Sequence, residues 1–190
     1  GSDGIEIATT INVSGGKAGQ VYTFSQVLDD VALRTVDSTG LTGSLDYLFG
    51  DDGLAVTDSN DMVTLKGGSG TADVVRTSFS GGTSGDFTMS GVETLIVGND
   101  GTASTVSLKN VTGLTEVQVE DDAGTVKGVT FTNVANNSLF QLGNSADEFE
   151  GADADLTVTL ASATGSSDVL NVEIDHSTTN DLTTNGIETL

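Results

Sequence analysis

Two stretches of this sequence decide its fold: SGTADVVRTSFSGGTSGDFTMSGVETL at residues 69–95 and TGSSDVLNVEIDHSTTNDLTTNGIETL at residues 164–190. They align without a gap at an offset of 95 residues, and ten of the 27 aligned positions are identical. The string VTL at residues 63–65 falls on a second VTL at residues 158–160 with the same offset. Self-similarity of this kind indicates one structural unit of about 95 residues that occurs more than once.

Short strand-like segments fill the interval between the two stretches. The first five of them start about 10–12 residues apart, with turn-forming residues between them, which is typical of a sandwich, a barrel or a solenoid. The segments are ETLIV (93–97), TVSL (105–108), EVQV (116–119), GVTF (128–131), SLFQL (138–142) and LTVTL (156–160). The links KNVTGL and TNVANN resemble each other, and no clean two-residue Asn-Gly or Asp-Gly hairpin occurs. The sequence therefore favours an all-β parallel β-solenoid, with a β-sandwich as the alternative.

The first sixty residues carry a different pattern. In TFSQVLDDVALRTVD (23–37) the apolar residues Phe24, Val27, Leu28 and Val31 are at helical spacing, which predicts a short helix. LTGSLDYLFG (41–50) is a candidate second helix. We therefore divide the chain into a mixed segment, residues 1–60, which could be the end of a preceding repeat unit, and a β-repeat region, residues 61–190.

Composition excludes several classes of function. The formal net charge of −22, from 28 acidic and 6 basic residues, opposes binding to nucleic acid. No apolar run is long enough to span a membrane as a helix. There is no cysteine and one histidine, His176, and no nucleophile elbow or phosphate loop is present, so we expect no enzyme. A β-helix enzyme acting on polysaccharide is the weakest alternative, because basic and aromatic partners for a carboxylate groove are scarce.

Acidic, glycine-rich turns are the candidate sites. Clustered Asp and Asn oxygens suit a hard cation, and Ca²⁺ takes six to eight oxygen ligands, so we predict Ca²⁺ as the cofactor. The alternative is that these clusters are solvated turns. The predicted ligands are Asp147, Asp153 and Asp155; Asp51, Asp52, Asp58, Asn60 and Asp61; Asn99 and Asp100; and Asp73 with Asp168.

Two pairs of acidic residues recur in the repeat. Asp73 and Asp168 could each ligate a cation at a corner, or each could cap a turn by accepting backbone N–H bonds before a strand. Glu93 and Glu188 lie in apolar strand motifs. If their side of the strand faces inward, these carboxyl groups are partly buried and need partners.

The repeated unit, seen as TADVVRTSFSGGTSGDFTMSGVETL and SSDVLNVEIDHSTTNDLTTNGIETL, resembles repeats in bacterial surface-layer (S-layer) proteins of the RTX-related, type I-secreted group. The resemblance covers about residues 60–190 and extends to large RTX-like adhesins. The calcium-binding nonapeptide of that group, Gly-Gly-x-Gly-x-Asp-x-aliphatic-x, is not intact: GGSGTADVV keeps Gly67, Gly68 and Gly70, but Asp73 falls one residue late.

The resemblance implies an extracellular protein of the bacterial cell surface with a solenoid-like body. We expect a structural fragment that self-associates into a Ca²⁺-dependent lattice or filament, with cell-surface polysaccharide as a further candidate partner. The alternative is a stalk or ligand-binding module of a secreted adhesin. Because the second copy of the repeat stops where the first continues into further strands, we also expect the chain to be part of a longer protein.

Overall fold

The protein is an all-β solenoid in which every described strand pair is parallel. The computed structural model describes residues 9–28, 33–51, 63–79, 82–83, 87–99, 103–121, 128–142, 155–162, 164, 166–174 and 181–188. Parallel pairing of consecutive strands needs a crossover between them, so the chain circles one axis. Each circuit is called a coil here. This excludes the sandwich alternative and confirms the solenoid.

Seventeen strands are described, and the segments predicted between the two repeat stretches all fall on them. Their bounds are β1 Thr10–Gly15, β2 Val21–Leu28, β3 Thr35–Leu41, β4 Ser44–Asp51, β5 Thr64–Lys66, β6 Val74–Phe79, β7 Gly82–Thr83, β8 Thr88–Ser90, β9 Thr94–Asn99, β10 Ser104–Ser107, β11 Val111–Thr112, β12 Glu116–Asp121, β13 Val129–Val134, β14 Leu139–Leu142, β15 Leu156–Leu160, β16 Asn171–Ile174 and β17 Leu182–Asn185.

The strands form three sheets. The long sheet has seven strands in the order β16-β14-β12-β9-β6-β4-β2 and runs through the whole described structure. The first short sheet has the order β1-β3-β5-β8-β11, and the second short sheet has the order β17-β15-β13-β10-β7. Nearly every coil therefore contributes one strand to the long sheet and one or two to the short sheets.

An apolar ladder on the inner face of the long sheet forms much of the core. In register, its members are Phe24, Tyr47, Val75, Leu95, Val117, Phe140 and Val172. The five middle members are buried, whereas the two end members are only partly buried. Strand alternation explains the pattern, because successive side chains point to opposite faces: the LTVTL of β15 alternates buried and half-buried.

The 95-residue offset extends over the whole described structure. Thr10 pairs with Thr35 as Thr105 pairs with Thr130, and Val21 pairs with Ser44 as Glu116 pairs with Leu139. The offset carries β1, β3, β5 and β8 of the first short sheet onto β10, β13, β15 and β17 of the second. Residues up to 95 are therefore called the first unit and residues from 96 the second unit. Each unit supplies four of the five strands of one short sheet, and the two share the long sheet.

Later coils of the second unit depart from the register of the first by even steps. Thr35 pairs with Thr64, but its equivalent Thr130 pairs with Thr157 rather than with Thr159, the position that the offset predicts. An even shift keeps every inward side chain inward, while an odd shift would turn the apolar set to solvent. The core thus determines which face of the strand points inward, whereas it allows the register between neighbouring strands to shift by an even number of residues.

The structure contains no helix among the described residues, so the helices predicted near the N-terminus are not found. Phe24 and Leu28 lie in β2, and residues 44–50 of the second candidate helix lie in β4; Val31 is outside the described residues. The pairing of β2 with β4 is irregular between Phe24 and Leu28. An interval of four residues places two side chains on the same face of a strand as well as of a helix, so the spacing of Phe24 and Leu28 does not distinguish the two structures. Within the same residues, no helix has the length and apolarity needed to cross a membrane.

Glycines bring successive coils into close contact where the chain passes from a short sheet into the long sheet. A Cβ atom added to Gly67 would lie 1.6 Å from the carbonyl oxygen of Gly91 in the next coil. One added to Gly70 would lie 2.0 Å from Oγ of Ser44 in the preceding coil. We call this link, residues 67–70 with Gly91, the glycine corner. It has no room for any side chain at Gly67, because the obstructing atom belongs to the backbone.

We predict that Gly67→Ala lowers the free energy of unfolding by at least about 3 kcal/mol, because the backbones of two coils must separate. Gly19→Ala is the matched control. Gly19 has a positive φ of +74°, but nothing lies within 4 Å of an added Cβ, so only backbone strain of about 1–2 kcal/mol is expected. Urea unfolding of both variants measures the difference. Equal losses would contradict the steric role of the corner.

Candidate functional site

Acidic residues avoid one another along the described strands. Parallel strands are about 4.8 Å apart, so two carboxylates in register would repel strongly. In the recorded register pairs, each acidic residue faces a neutral or basic partner: Asp37 faces Asn12 and Lys66, and Glu173 faces Gln141. A position where acids of successive coils do meet is therefore an exception that needs an explanation.

Such a position occurs at the glycine corner, directly before strand β6. The N–H of Asp73 donates to Oε2 of Glu93 in the next coil at 2.8 Å. In return, the carbonyl oxygen of Asp73 accepts the N–H groups of Glu93 and Thr94, each at 3.1 Å. The two acidic residues are thus held in adjacent coils by three hydrogen bonds. We call this arrangement the carboxyl corner.

The Asp73 side chain also ties the corner to the preceding coil. Its Oδ1 accepts the N–H of Leu45 at 2.9 Å and the N–H of Gly68 at 2.9 Å. Asp73 is only 1% exposed. Of the two roles that the sequence left open for Asp73, the capping of backbone N–H groups is therefore present.

A second carboxyl corner lies 95 residues later. The N–H of Asp168 donates to Oε2 of Glu188 at 3.0 Å, and the N–H of Glu188 donates to the carbonyl oxygen of Asp168 at 3.3 Å. Asp168 is 8% exposed, whereas Glu188 is exposed. The same reciprocal contacts in both units show that the corner is a feature of the repeat.

Each corner contains a buried carboxylate oxygen that has no hydrogen-bond partner, Oδ2 of Asp73 and Oδ2 of Asp168. The nearby Tyr47 hydroxyl is hydrogen-bonded to Oγ of Ser38 at 2.5 Å. Burial raises the pKa of Tyr47 to about 12, opposed by the Ser38 hydrogen bond and assisted by the charge of Asp73. A buried anionic oxygen without a donor is costly unless a proton or a cation neutralises it.

The pKa of Asp168 is raised above its ordinary value, first by burial and then by the negative charge of Glu188. A hydrogen bond between the two carboxyl groups adds to the shift, because it holds the proton on the pair. The second corner therefore attracts positive charge, whether as a proton or as a cation.

The predicted ligands are divided between described and undescribed residues. Asp155 lies before β15, where its carbonyl oxygen accepts the N–H of Val129 at 2.8 Å and its Oδ1 accepts the N–H of Asp181 at 3.3 Å. Asp51 ends β4 and Asn99 ends β9. The remaining candidates lie outside the described residues: Asp147, Asp153, Asp52, Asp58, Asn60, Asp61 and Asp100.

No group of three or more Asp, Glu, His or Cys side chains that could hold a metal ion occurs in the part of the chain that the structure describes. The unpaired oxygens of Asp73 and Asp168 nevertheless fit one carboxylate position each of a hard-cation site. Further oxygens would then come from main-chain carbonyls, from water or from acidic residues outside the described ranges.

Sequence reasoning identified the two aspartates but did not join them to the glutamates. The signal was present, because Glu93 follows Asp73 at the same spacing as Glu188 follows Asp168. Val74 and Thr94, which pair in register, are separated by that same spacing. When this spacing is recognised as the length of one coil, it follows that Glu93 lies beside Asp73 and that Glu188 lies beside Asp168.

Comparison with protein-family models, with curated proteins and with solved structures finds no match for this chain.

We predict that Asp73→Ala destabilises the fold by about 2–6 kcal/mol, because the N–H groups of Leu45 and Gly68 lose their acceptor at about 1–3 kcal/mol each. Asp73→Asn keeps an oxygen at the accepting position and should cost less. Chemical unfolding of the two variants checks the order. Equal destabilisation would contradict the capping role.

For Asp168 we predict a gain of stability on neutralisation. Since its folded-state pKa is raised, ionisation of Asp168 destabilises the protein at pH values above that pKa, and the penalty disappears below the unfolded-state pKa. In chelator, Asp168→Asn should therefore melt at a higher temperature than the parent at pH 7, and the difference should vanish near pH 3, below the ordinary carboxyl pKa of about 3.9. A difference that is independent of pH would show that charge is not its cause.

Proposed function

We propose that this chain is a structural component of a bacterial cell surface, extracellular and without enzymatic activity, which self-assembles into a calcium-dependent lattice of the surface-layer type. The observation that carries the proposal is the carboxyl corner, present once in each repeat unit with a buried oxygen that lacks a partner. A repeated solenoid with the same acidic corner in each unit suits a building element whose assembly responds to cations.

Calcium would act on the charge of the chain as well as at the corners. A net charge of −22 on 190 residues opposes any contact between copies. Asp73 and Asp168 would hold the ion through their free carboxylate oxygens, with Glu93 and Glu188 beside them. Bound Ca²⁺ would supply positive charge to neutralise the corner. The acidic residues outside the described ranges remain the predicted additional ligands.

A stalk module of a secreted adhesin is the second candidate. It is favoured by the continuous long sheet, which joins two repeat units without a break among the described strands. Repeat units joined in this way extend along one axis. The two candidates differ in self-association: a lattice protein assembles with copies of itself, whereas a stalk remains monomeric and presents a tip to a ligand such as surface polysaccharide.

Thermal melting with chelator and with millimolar Ca²⁺ tests the calcium requirement. A site that binds the folded state alone stabilises it by about 2.7 kcal/mol when the Ca²⁺ concentration is a hundred times the Kd. We expect a higher Tm in Ca²⁺ for the parent and a smaller increase for the Asp73→Asn, Asp168→Asn double variant. Asp46→Asn is the control, since Asp46 is already paired with Arg76 at 3.3 Å. A Tm that Ca²⁺ does not change would rule out the calcium requirement.

Electron microscopy of the protein in Ca²⁺ tests the lattice. Ordered sheets or filaments are expected in Ca²⁺, with dispersal on addition of chelator. Monomers under both conditions would favour the stalk.

A further inference from the structure

The second short sheet carries a row of threonines in register. Its members, one from each strand of the sheet, are Thr83, Thr105, Thr130, Thr157 and Thr183. Successive members are about 4.8 Å apart, because this is the separation of neighbouring strands. The residues on either side of Thr130 and of Thr157 are buried, so strand alternation points these two threonines outward.

A second outward row lies two residues further along the same strands. Ser107 pairs with Thr132, and Thr159 pairs with Asn185. An irregularity after Phe131 separates the two pairs. The two rows are about 6.6 Å apart, because each residue advances a strand by about 3.3 Å. Together the rows form a two-dimensional array of polar groups, mostly hydroxyls, on the outer surface of β10, β13, β15 and β17. We call this surface the threonine face.

The threonine face is uncharged, although the chain is strongly acidic. The strands of the second short sheet contain no Asp, Glu, Lys or Arg, whereas the chain has 28 acidic and 6 basic residues. Asp155 and Asp181 directly precede β15 and β17 and border the face. In the first short sheet, the equivalent second row carries the ion pair of Asp37 and Lys66 at 2.8 Å. The lack of charge is therefore a property of this face and not of the fold.

The hydroxyl groups of the first row are available to a ligand. Thr105, Thr130 and Thr157 are half-buried, and Thr183 is exposed. None of these four hydroxyls makes a hydrogen bond to another residue in the part of the chain that the structure describes. Threonine is β-branched, so rotation about its χ1 angle is restricted on a strand. A ligand therefore meets groups that are already ordered, which lowers the entropic cost of binding.

The chemistry and periodicity of the face select the ligand. A two-dimensional array is matched best by a ligand that also repeats in two dimensions. Ice meets this condition, because the oxygen atoms at its crystal faces form rows at similar spacings and both donate and accept hydrogen bonds. Ice also excludes ions from its lattice, in agreement with the uncharged face. A sugar chain fits less well, because it needs aromatic rings on which to stack, and Phe131, the one aromatic residue of these strands, is buried in the core.

We propose that the threonine face binds ice. Water molecules that are hydrogen-bonded to the first-row hydroxyls occupy lattice positions at the crystal surface, as ordered waters bridge two partners elsewhere. The threonine methyl groups lie between these waters. Ice cannot grow where the protein is bound, so its freezing temperature falls below its melting temperature, a gap called thermal hysteresis. This activity is additional to the proposed function and does not rest on it.

The test measures thermal hysteresis and the incorporation of the whole chain into a growing ice shell. The parent should show a hysteresis gap and enter the ice. Thr130→Tyr places a ring above the centre of the face, on a strand that tolerates aromatic residues, and should remove most of the gap. Thr35→Tyr is the matched control, because Thr35 is the half-buried equivalent of Thr130 on the first short sheet, and it should leave the gap unchanged. Melting curves of both variants check that they are folded.

A second pair of variants tests the need for an uncharged face at exposed positions, where folding is least affected. Thr183→Lys should remove most of the gap, whereas Thr112→Lys, exposed on the first short sheet, should not. A folded parent that shows no gap and stays in the liquid overturns the proposal. Equal loss in face and control variants also overturns it. So does a parent that binds crystalline cellulose or chitin but not ice, since the ligand of the face would then be a polysaccharide.

Discussion

Parallel backbone pairing between one coil and the next is the constraint on which the rest of this structure depends. It places each residue about 4.8 Å from a residue of the neighbouring coil, so the two side chains must be compatible at that distance. Apolar side chains are compatible with one another on the inner face, where the ladder from Phe24 to Val172 runs through seven strands. Two carboxylates repel each other, and in a chain of net charge −22 the described strands keep acidic residues opposite neutral or basic partners. The carboxyl corners depart from this rule in both units, and for that reason they stand out as sites.

The inner ladder also explains how much of the fold the sequence reveals. Burial requires apolar residues at inward positions but does not require the same residue. The first parts of the two units therefore share their structure without sharing their sequence. Ile11 corresponds to Val106 and Tyr22 to Val117, and no sequence alignment indicates this. The later parts of the two units share identical residues because the backbone there is constrained: Gly91 and Gly186 both have positive φ, and Asp73 and Asp168 both form a carboxyl corner. The repeat was therefore predictable where the backbone is constrained and hidden where only burial matters.

The candidate site was predictable to the same extent. Asp73 and Asp168 were found because they are identical in the two copies, but their pairing with Glu93 and Glu188 depends on the length of a coil. Coil length varies along the chain: on the long sheet, the register partners Val74 and Thr94 are much closer in sequence than the register partners Leu139 and Asn171. A periodicity this irregular cannot be read from spacing without the structure. The helix predicted at Phe24 is not found, because apolar residues four apart fit one face of a strand as well as one face of a helix.

A solenoid has no intrinsic end, because each coil presents to the next the surface that it received from the one before. Within one chain, the stacking of coils is opposed by charge, because the chain carries a net charge of −22. The described basic residues are already engaged in part, Lys66 with Asp37 at 2.8 Å and Arg76 with Asp46 at 3.3 Å. Counter-ions screen the remaining repulsion between carboxylates. Cations that neutralise the carboxyl corners would therefore stabilise the stacking of one coil on the next.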